Sequence, residues 1–146
     1  MSSNKVNISQ TDILISAEHI GSGSAVALLR QGDVGLLAAS GVFYGDPIYV
    51  GGYTHLCGYA YSDVDSATDG LILEQGLQLA DFDNTTPAAA TENITHSLYT
   101  IPGANIIDNA FNVQIVAPFA RIIYINGAAA QTAFRLVGYT RVIRGL

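Results

Sequence analysis

Apolar and polar residues alternate with a period of two along much of the chain after residue 46. In residues 53–61, for example, Tyr, His and Cys at odd positions alternate with Thr, Leu, Gly and Ala at even positions. Successive side chains of a β-strand point to opposite faces, so this period predicts strands. About seven or eight such segments are separated by Gly, Pro and Asn turns, and no segment keeps a helical period beyond one turn. The pattern predicts an all-β fold, a β-sandwich of jelly-roll-like type.

The first 41 residues differ from the rest, because their alternation is weak and is interrupted by a Gly-Ser linker at residues 21–24. We expect residues 1–41 to form an extended N-terminal arm with the strands that lead into the domain, and residues 42–146 to form the sandwich. An arm with apolar residues but no core of its own packs on its own domain or on a neighbour. Ile13 and Ile15 are therefore candidate contact residues.

Residues 119–141 read as a β-hairpin, because two runs of branched and aromatic residues flank Asn126-Gly127. The alternation places one set of side chains in the sandwich interior: Ala120, Ile122, Tyr124, Phe134 and Leu136. The other set would then face outward, although it is largely apolar. Arg and Tyr are enriched in protein contacts, so this outward set predicts an interface: Arg121, Ile123, Ile125, Arg135, Val137, Tyr139 and Arg141. On this reading, Ile123→Asp would leave the fold intact and disrupt assembly.

Charge is scarce in the chain: 12% of the residues are charged, against about 25% in ordinary soluble domains. Hydrophobic residues make up 49% and the net charge is -6. The shortage of surface charge favours a subunit that neighbours cover. The acidic balance argues against a nucleic-acid partner, since such binding depends on clustered Lys and Arg. The longest apolar runs are too short to span a membrane, and no signal sequence is expected.

Candidate chemical groups are few, and we expect neither an enzyme nor a bound cofactor. Asp63, Asp65 and Asp69 precede Gly70 with a spacing that fits either calcium ligands or a polar turn, and the sequence leaves both open. His55, His96 and Glu74 could serve a hydrolase only if the fold brought them together. No local catalytic signature such as G-x-S-x-G accompanies them. No set of His and Cys residues has the spacing of a metal site.

Three segments carry a resemblance to small β-sandwich virion proteins of tailed bacteriophages. In chain order they are "DPIYVGGYTHLCGYAYSD", "GLILEQGLQLADFD" and "VAPFARIIYINGAAAQTAFRLVGY". The resemblance covers roughly residues 46–140, and residues 117–136 are its most specific part. Ile123 departs from it, because a charged or polar residue is common at that position, and the N-terminal arm lies outside it.

The resemblance implies a capsid decoration or cement protein that stabilises the assembled phage head. Its partners would be the major capsid protein and further copies of itself, with a trimer favoured. The protein would be made in the host cytoplasm and would reside on the outer surface of the capsid. The alternative is a carbohydrate-binding or host-recognition module associated with a tail or fibre.

Overall fold

The computed structural model describes residues 36–82, 93–105 and 109–142 in full, and the backbone of residues 16–20 and 24–25. Within these residues the chain forms ten β-strands, one 3-10 turn (Leu79–Asp81) and no α-helix. The strands are, in chain order, β1 Ser16–Ile20, β2 Ser24–Ala25, β3 Val42–Tyr44, β4 Ile48–Tyr49, β5 His55–Ser62, β6 Ser66–Gly76, β7 Ile94–Tyr99, β8 Ala110–Gln114, β9 Phe119–Asn126 and β10 Phe134–Arg141.

The strands form two antiparallel sheets that pack face to face around one core. Sheet one has the strand order β2-β1-β10-β5-β8, and sheet two has the order β3-β9-β6-β7, with β4 also paired to β9. The predicted all-β sandwich is therefore confirmed.

The interior is filled by the alternate residues that the period-two pattern selects. In β5 these are Leu56 and Ala60, which are both fully buried. The five interior residues predicted for β9 and β10 are also buried. The rings of Tyr124 and Phe134 meet across the interior with their centroids 4.7 Å apart. Because residues of the two sheets interdigitate here, burial of these apolar side chains is what holds the sheets together.

Part of the predicted arm contributes strands to sheet one. Strand β1 lies antiparallel to β10, with His19 opposite Leu136 and Ile20 opposite Arg135. Ile13 and Ile15 lie outside the described residues. The extended arm and a boundary at residue 41 stay predictions.

The predicted hairpin at residues 119–141 is wrong. Strand β9 pairs with β3, β4 and β6 in sheet two, whereas β10 pairs with β1 and β5 in sheet one. Residues 127–133, the crossing loop, therefore pass from one sheet to the other, and Arg121 and Arg135 lie in different sheets. The alternation was read correctly, because a strand presents the same inner face whichever neighbour it pairs with.

The Asn126-Gly127 pair is a typical hairpin signal, but here both residues stabilise the loop that crosses between the sheets, and they do not form a tight turn. The Asn126 side-chain amide donates to the carbonyls of Leu37, Ala38 and Ala129 at 2.8–3.3 Å. Gly127 passes so close to β6 that a Cβ atom would lie 2.4 Å from the carbonyl oxygen of Asp65. A glycine is needed at this position for close approach and not for a primed hairpin turn.

Candidate functional site

The outer face of sheet one gathers tyrosine and arginine side chains from two paired strands. Strand β10 lies antiparallel to β5 in a continuous register. The register places Arg135 opposite Tyr61 and Val137 opposite Tyr59. Because directly opposed residues share a face, one surface receives the outward side chains of both strands. We call it the tyrosine–arginine face, formed by Tyr59, Tyr61, Arg135, Val137, Tyr139 and Arg141.

The tyrosine–arginine face is neither interior nor fully solvated. Its members are half-buried, apart from Arg135, which is exposed. The Arg135 guanidinium carbon lies 5.6 Å from the centroid of the Tyr59 ring, which is a cation–π distance. This contact holds the guanidinium over the ring, so the face presents aromatic surface and positive charge together.

The charge of this face differs from that of the whole chain. Strands β5, β8 and β10 contain no Asp or Glu, and β1, which pairs with β10, contains one, Glu18; the chain as a whole carries a net charge of -6. Two of the three arginines in the described residues, Arg135 and Arg141, lie here. The face therefore suits a partner surface that is acidic or rich in hydrogen-bond acceptors.

The outer face of sheet two is buried instead, around an ionic row across three strands. Glu74 of β6 lies opposite Arg121 of β9 on one side and His96 of β7 on the other. The Arg121 Nε atom donates to Glu74 Oε1 at 2.7 Å, and His96 Nε2 lies 3.1 Å from Glu74 Oε2. The side chains of Glu74 and Arg121 are both fully buried.

Aromatic rings flank this ionic row. The Arg121 guanidinium carbon lies 5.4 Å from the Phe82 ring centroid and 5.9 Å from that of Tyr44. Ile123, two residues along β9 on the same face, has no exposed surface. The expectation that Arg121 and Ile123 face solvent is therefore wrong. They belong to a second buried layer, because a paired charge and its aromatic neighbours can be packed away from water.

The structure thus divides the predicted contact residues between two surfaces. Arg135, Val137, Tyr139 and Arg141 lie together on sheet one, whereas Ile125 is half-buried in sheet two beside the two buried residues. The four on sheet one are accessible to a partner, but no second molecule tests that contact, and it stays a prediction.

The sequence reasoning missed two members of the tyrosine–arginine face, Tyr59 and Tyr61. Their alternation with Gly58 and Ala60 placed them outward, and that signal was present in the chain. What was missing was the pairing of β5 with β10, since it joins residues about 75 positions apart.

The acidic turn between β5 and β6 caps backbone groups. Asp63 accepts hydrogen bonds from Thr132 Oγ1 at 2.5 Å and from the amides of Thr132 and Ala133 at 2.9 Å. These bonds, that of the Thr132 hydroxyl first, lower the pKa of Asp63 from 3.8 to about 2. Asp65 accepts from the Gly103 amide at 2.7 Å.

The acidic turn and the three residues considered for a hydrolase lie in separate parts of the described structure. An open cleft of about 380 Å³ beside Asp63 and Asp65 is lined mainly by small residues. No group of three His, Cys, Asp or Glu side chains in the described ranges has the geometry of a metal site. Glu74 and His96 lie together on sheet two, whereas His55 lies on sheet one, so the fold does not bring the three side chains to one place.

Among the residues that the structure describes, no helix has the length and apolarity of a membrane span. Comparisons with protein-family models, with curated proteins and with solved structures each gave no match to this chain.

Proposed function

We propose that the protein is a structural component of a bacteriophage virion, a capsid cement or decoration protein that binds the outer surface of the assembled head. The observation that carries the proposal is the tyrosine–arginine face of sheet one. Tyrosine and arginine are enriched where proteins meet, and this face carries both on two hydrogen-bonded strands.

The sequence resemblance supports the same proposal. Its most specific part, residues 117–136, contains all of β9, the crossing loop and the start of β10. This segment joins the two sheets, and it also leads into the tyrosine–arginine face through Arg135. The part of the chain that resembles virion sandwiches is therefore central to this fold.

The proposed mechanism is thermodynamic linkage. A protein that binds only the assembled, expanded lattice stabilises it by RT ln(1 + [L]/Kd) per site. A capsid repeats each site many times, so small gains at single sites add up over the shell. Simultaneous contact with two capsid subunits would add avidity without further contacts. The partner would be the major capsid protein, whose surface would present acidic or acceptor-rich patches to Arg135 and Arg141.

The N-terminal segment has a proposed role in the same attachment. Residues 1–15 precede β1, and we propose that they reach a neighbouring subunit on the particle. A truncation should stop before Ser16, because removing β1 would expose the edge of β10. Deletion of residues 1–15 is expected to reduce capsid occupancy while the sandwich stays folded. Unchanged occupancy would eliminate this role.

The test of the main proposal is co-sedimentation of the purified protein with capsids of the encoding phage, before and after expansion. We expect saturable binding to expanded capsids only. Tyr139→Ala and Arg141→Ala should each weaken it, whereas Ala128→Asp, on an exposed position of the crossing loop, should not. Cryo-electron microscopy of the complex would then place sheet one against the shell. Absence of binding to both capsid forms would reject the proposal.

A carbohydrate-binding module is the alternative, and the three tyrosines of the same face favour it. Aromatic faces can stack on sugar rings, with nearby arginines donating hydrogen bonds to hydroxyl groups. This function predicts that the isolated protein binds host glycans and that Tyr59→Ala abolishes the binding. Capsid binding without glycan binding would dismiss it.

A further inference from the structure

The two sheets have very different edges on the two flanks of the sandwich. On one flank the outermost strands are short, with two residues in β2, three in β3 and two in β4. On the other flank the edges are β7 with six residues and β8 with five. Short edge strands are one way in which proteins prevent unwanted strand pairing. Only the first flank has this protection.

The sequences and pairings of the long edges also lack charged residues, proline and bulges, which protect other strand edges. Neither β7 nor β8 contains Lys, Arg, Asp, Glu or Pro. Both pair with their inner neighbours in unbroken register, so no bulge twists them away. The two edges lie side by side, since the Tyr99 and Phe111 rings are 6.3 Å apart. In the described part of the chain, this flank consists of strand edges without bulges and without Lys, Arg, Asp or Glu.

The hydrogen-bond pattern shows which backbone groups of β8 point outward. The Ile115 amide donates to the Thr54 carbonyl at 2.8 Å, and the Ala60 amide donates to the Asn109 carbonyl at 3.1 Å. In an antiparallel ladder such bonded pairs recur at every second residue. Phe111 and Val113 therefore bond to β5. Ala110, Asn112 and Gln114 direct their backbone groups to the open edge.

One of the outward groups already has a partner within the chain. The Gln114 carbonyl accepts from the Gln75 side chain at 3.0 Å, and its second lone pair can accept another bond. The Ala110 and Asn112 groups and the Gln114 amide have no such bond among the described residues. The edge offers alternating donors and acceptors over five residues.

We propose that β8 pairs with β8 of a second copy of this chain across a two-fold axis at Asn112. The axis would place Asn112 opposite its own copy and Ala110 opposite Gln114, so every outward backbone group finds a partner. Phe111 would lie opposite Val113 on the core side of both copies. The contact joins sheet one of one copy to sheet one of the other copy, so that the two form one continuous sheet.

The chemistry of the strand favours a second copy as the partner. Two-fold pairing brings the residue on the axis next to its own image, which is destabilising for a charged residue. β8 has no charge, and two Asn side chains can hydrogen-bond each other. In β7 the outward groups belong to Ile94, His96 and Leu98, by the same alternation from the Leu77–Asn93 bond. A two-fold axis there would oppose two His96 side chains, so β8 is the better edge.

A proline at Asn112 is the sharpest test. The Asn112 amide points away from β5, so Asn112→Pro removes an edge donor without removing a bond of the ladder. Asn112→Thr retains the amide and is the matched control. By light scattering after gel filtration, we expect the full-length wild type and Asn112→Thr to have the mass of two chains. Asn112→Pro should have the mass of one, with unchanged circular dichroism.

Disulfide trapping provides a second measurement, should the proline variant fail to fold. Cys57 lies opposite Asn112 on β5 and would capture a new cysteine within the chain, so it is first replaced by Ser. Bonded antiparallel pairs have Cα atoms about 5.5 Å apart, within the range of a disulfide. Cys57→Ser with Asn112→Cys should form a covalent dimer on oxidation, whereas Cys57→Ser with Ala128→Cys should not.

The dimer proposal is independent of the capsid proposal. A monomeric wild type would overturn it. So would a trimer whose mass is unaffected by Asn112→Pro, or a failure of Asn112→Cys to cross-link. None of these results bears on whether the tyrosine–arginine face binds a capsid.

Discussion

The outer faces of the two sheets start from the same sequence pattern and differ in burial. On sheet two, Arg121 and Ile123 have no exposed surface. On sheet one, Val137 and Tyr139 occupy equivalent outward positions of β10 and are half-buried. Arg135, near the start of the same strand, is exposed. Both strands alternate arginine and branched residues on the outward side. Burial is therefore decided by what packs over the strand.

The comparison also separates two uses of arginine. Arg121 is bonded to the buried carboxylate of Glu74 at 2.7 Å, and both side chains are held away from water. Arg135 lies over an aromatic ring at the surface, where water can solvate it. The first arginine lies inside the fold, and the second lies at the surface.

The largest expected effect is that of Ile123→Asp, and the structure reverses the expectation drawn from the sequence. A carboxylate at this fully buried position loses the apolar burial of the isoleucine and lacks a cationic partner placed for it. We expect a loss of more than about 5 kcal/mol, comparable to the whole stability of a domain. Circular dichroism and urea unfolding should show an unfolded or barely folded chain.

Val137→Asp is the matched substitution on sheet one. It removes a branched side chain from a strand whose outer face is partly solvated, so we expect a loss of about 1 kcal/mol and a retained fold. Equal destabilisation by the two substitutions would show that the two faces do not differ in burial.

The next effect in size concerns the ionic row. Glu74→Ala removes the buried carboxylate to which Arg121 Nε donates, and we expect a loss of about 3–5 kcal/mol in urea unfolding. The double substitution Glu74→Leu with Arg121→Met replaces both charges by apolar side chains and should recover most of that loss. A double variant as unstable as Glu74→Ala would indicate that packing, and not the loss of the ion pair, dominates.

A smaller effect on stability, with a large effect on binding, is expected for Tyr139→Phe and Tyr139→Ala. The ring is half-buried, so loss of the hydroxyl should change stability by less than about 1 kcal/mol. If the tyrosine–arginine face is the contact, Tyr139→Ala should weaken capsid co-sedimentation, and Tyr139→Phe should weaken it less. Full binding by both variants would show that the capsid contact lies on another surface of the protein.

The smallest expected effect is that of pH on the hydrogen bonds that Asp63 accepts from Thr132 and Ala133 in the loop between the two sheets. The folded pKa of Asp63 is depressed to about 2, so its contribution to stability is present above pH 3.8 and is lost as the pH falls towards 2. Thermal unfolding across this range should show the wild type converging on Asp63→Asn at the acidic end. Asp46→Asn, at an exposed position, should match the wild type throughout. A constant difference between wild type and Asp63→Asn would contradict the role assigned to these bonds.

Much of the fold could be predicted from local pattern. The inner residues of β5, β9 and β10 were identified correctly because alternation is a property of each strand alone. The pairing of β9 and β10 was predicted wrongly because Asn-Gly is a strong local hairpin signal. Here Asn126 bonds to Leu37 and Ala38, which are nearly 90 positions away. A contact between residues so far apart in the chain produces no local sequence pattern.

The candidate site divides in the same way. Arg135, Val137, Tyr139 and Arg141 share one face of one strand, and the sequence alone placed them together. Tyr59 and Tyr61 joined them only through the long-range register of β5 with β10. The burial of Arg121 depends on Glu74, 47 positions earlier in the chain. Spacing along the sequence contains no information about such a partner.

The sequence by itself determined that the chain is all-β, which side of each strand faces the core, and that its surface charge is low. Tertiary structure alone decided which strands share a sheet, which outward face is covered, and which edges stay open. The physical reason is that alternation arises from the geometry of a single strand. Pairing, cover and edge exposure arise from hydrogen bonds and packing between residues far apart in the chain.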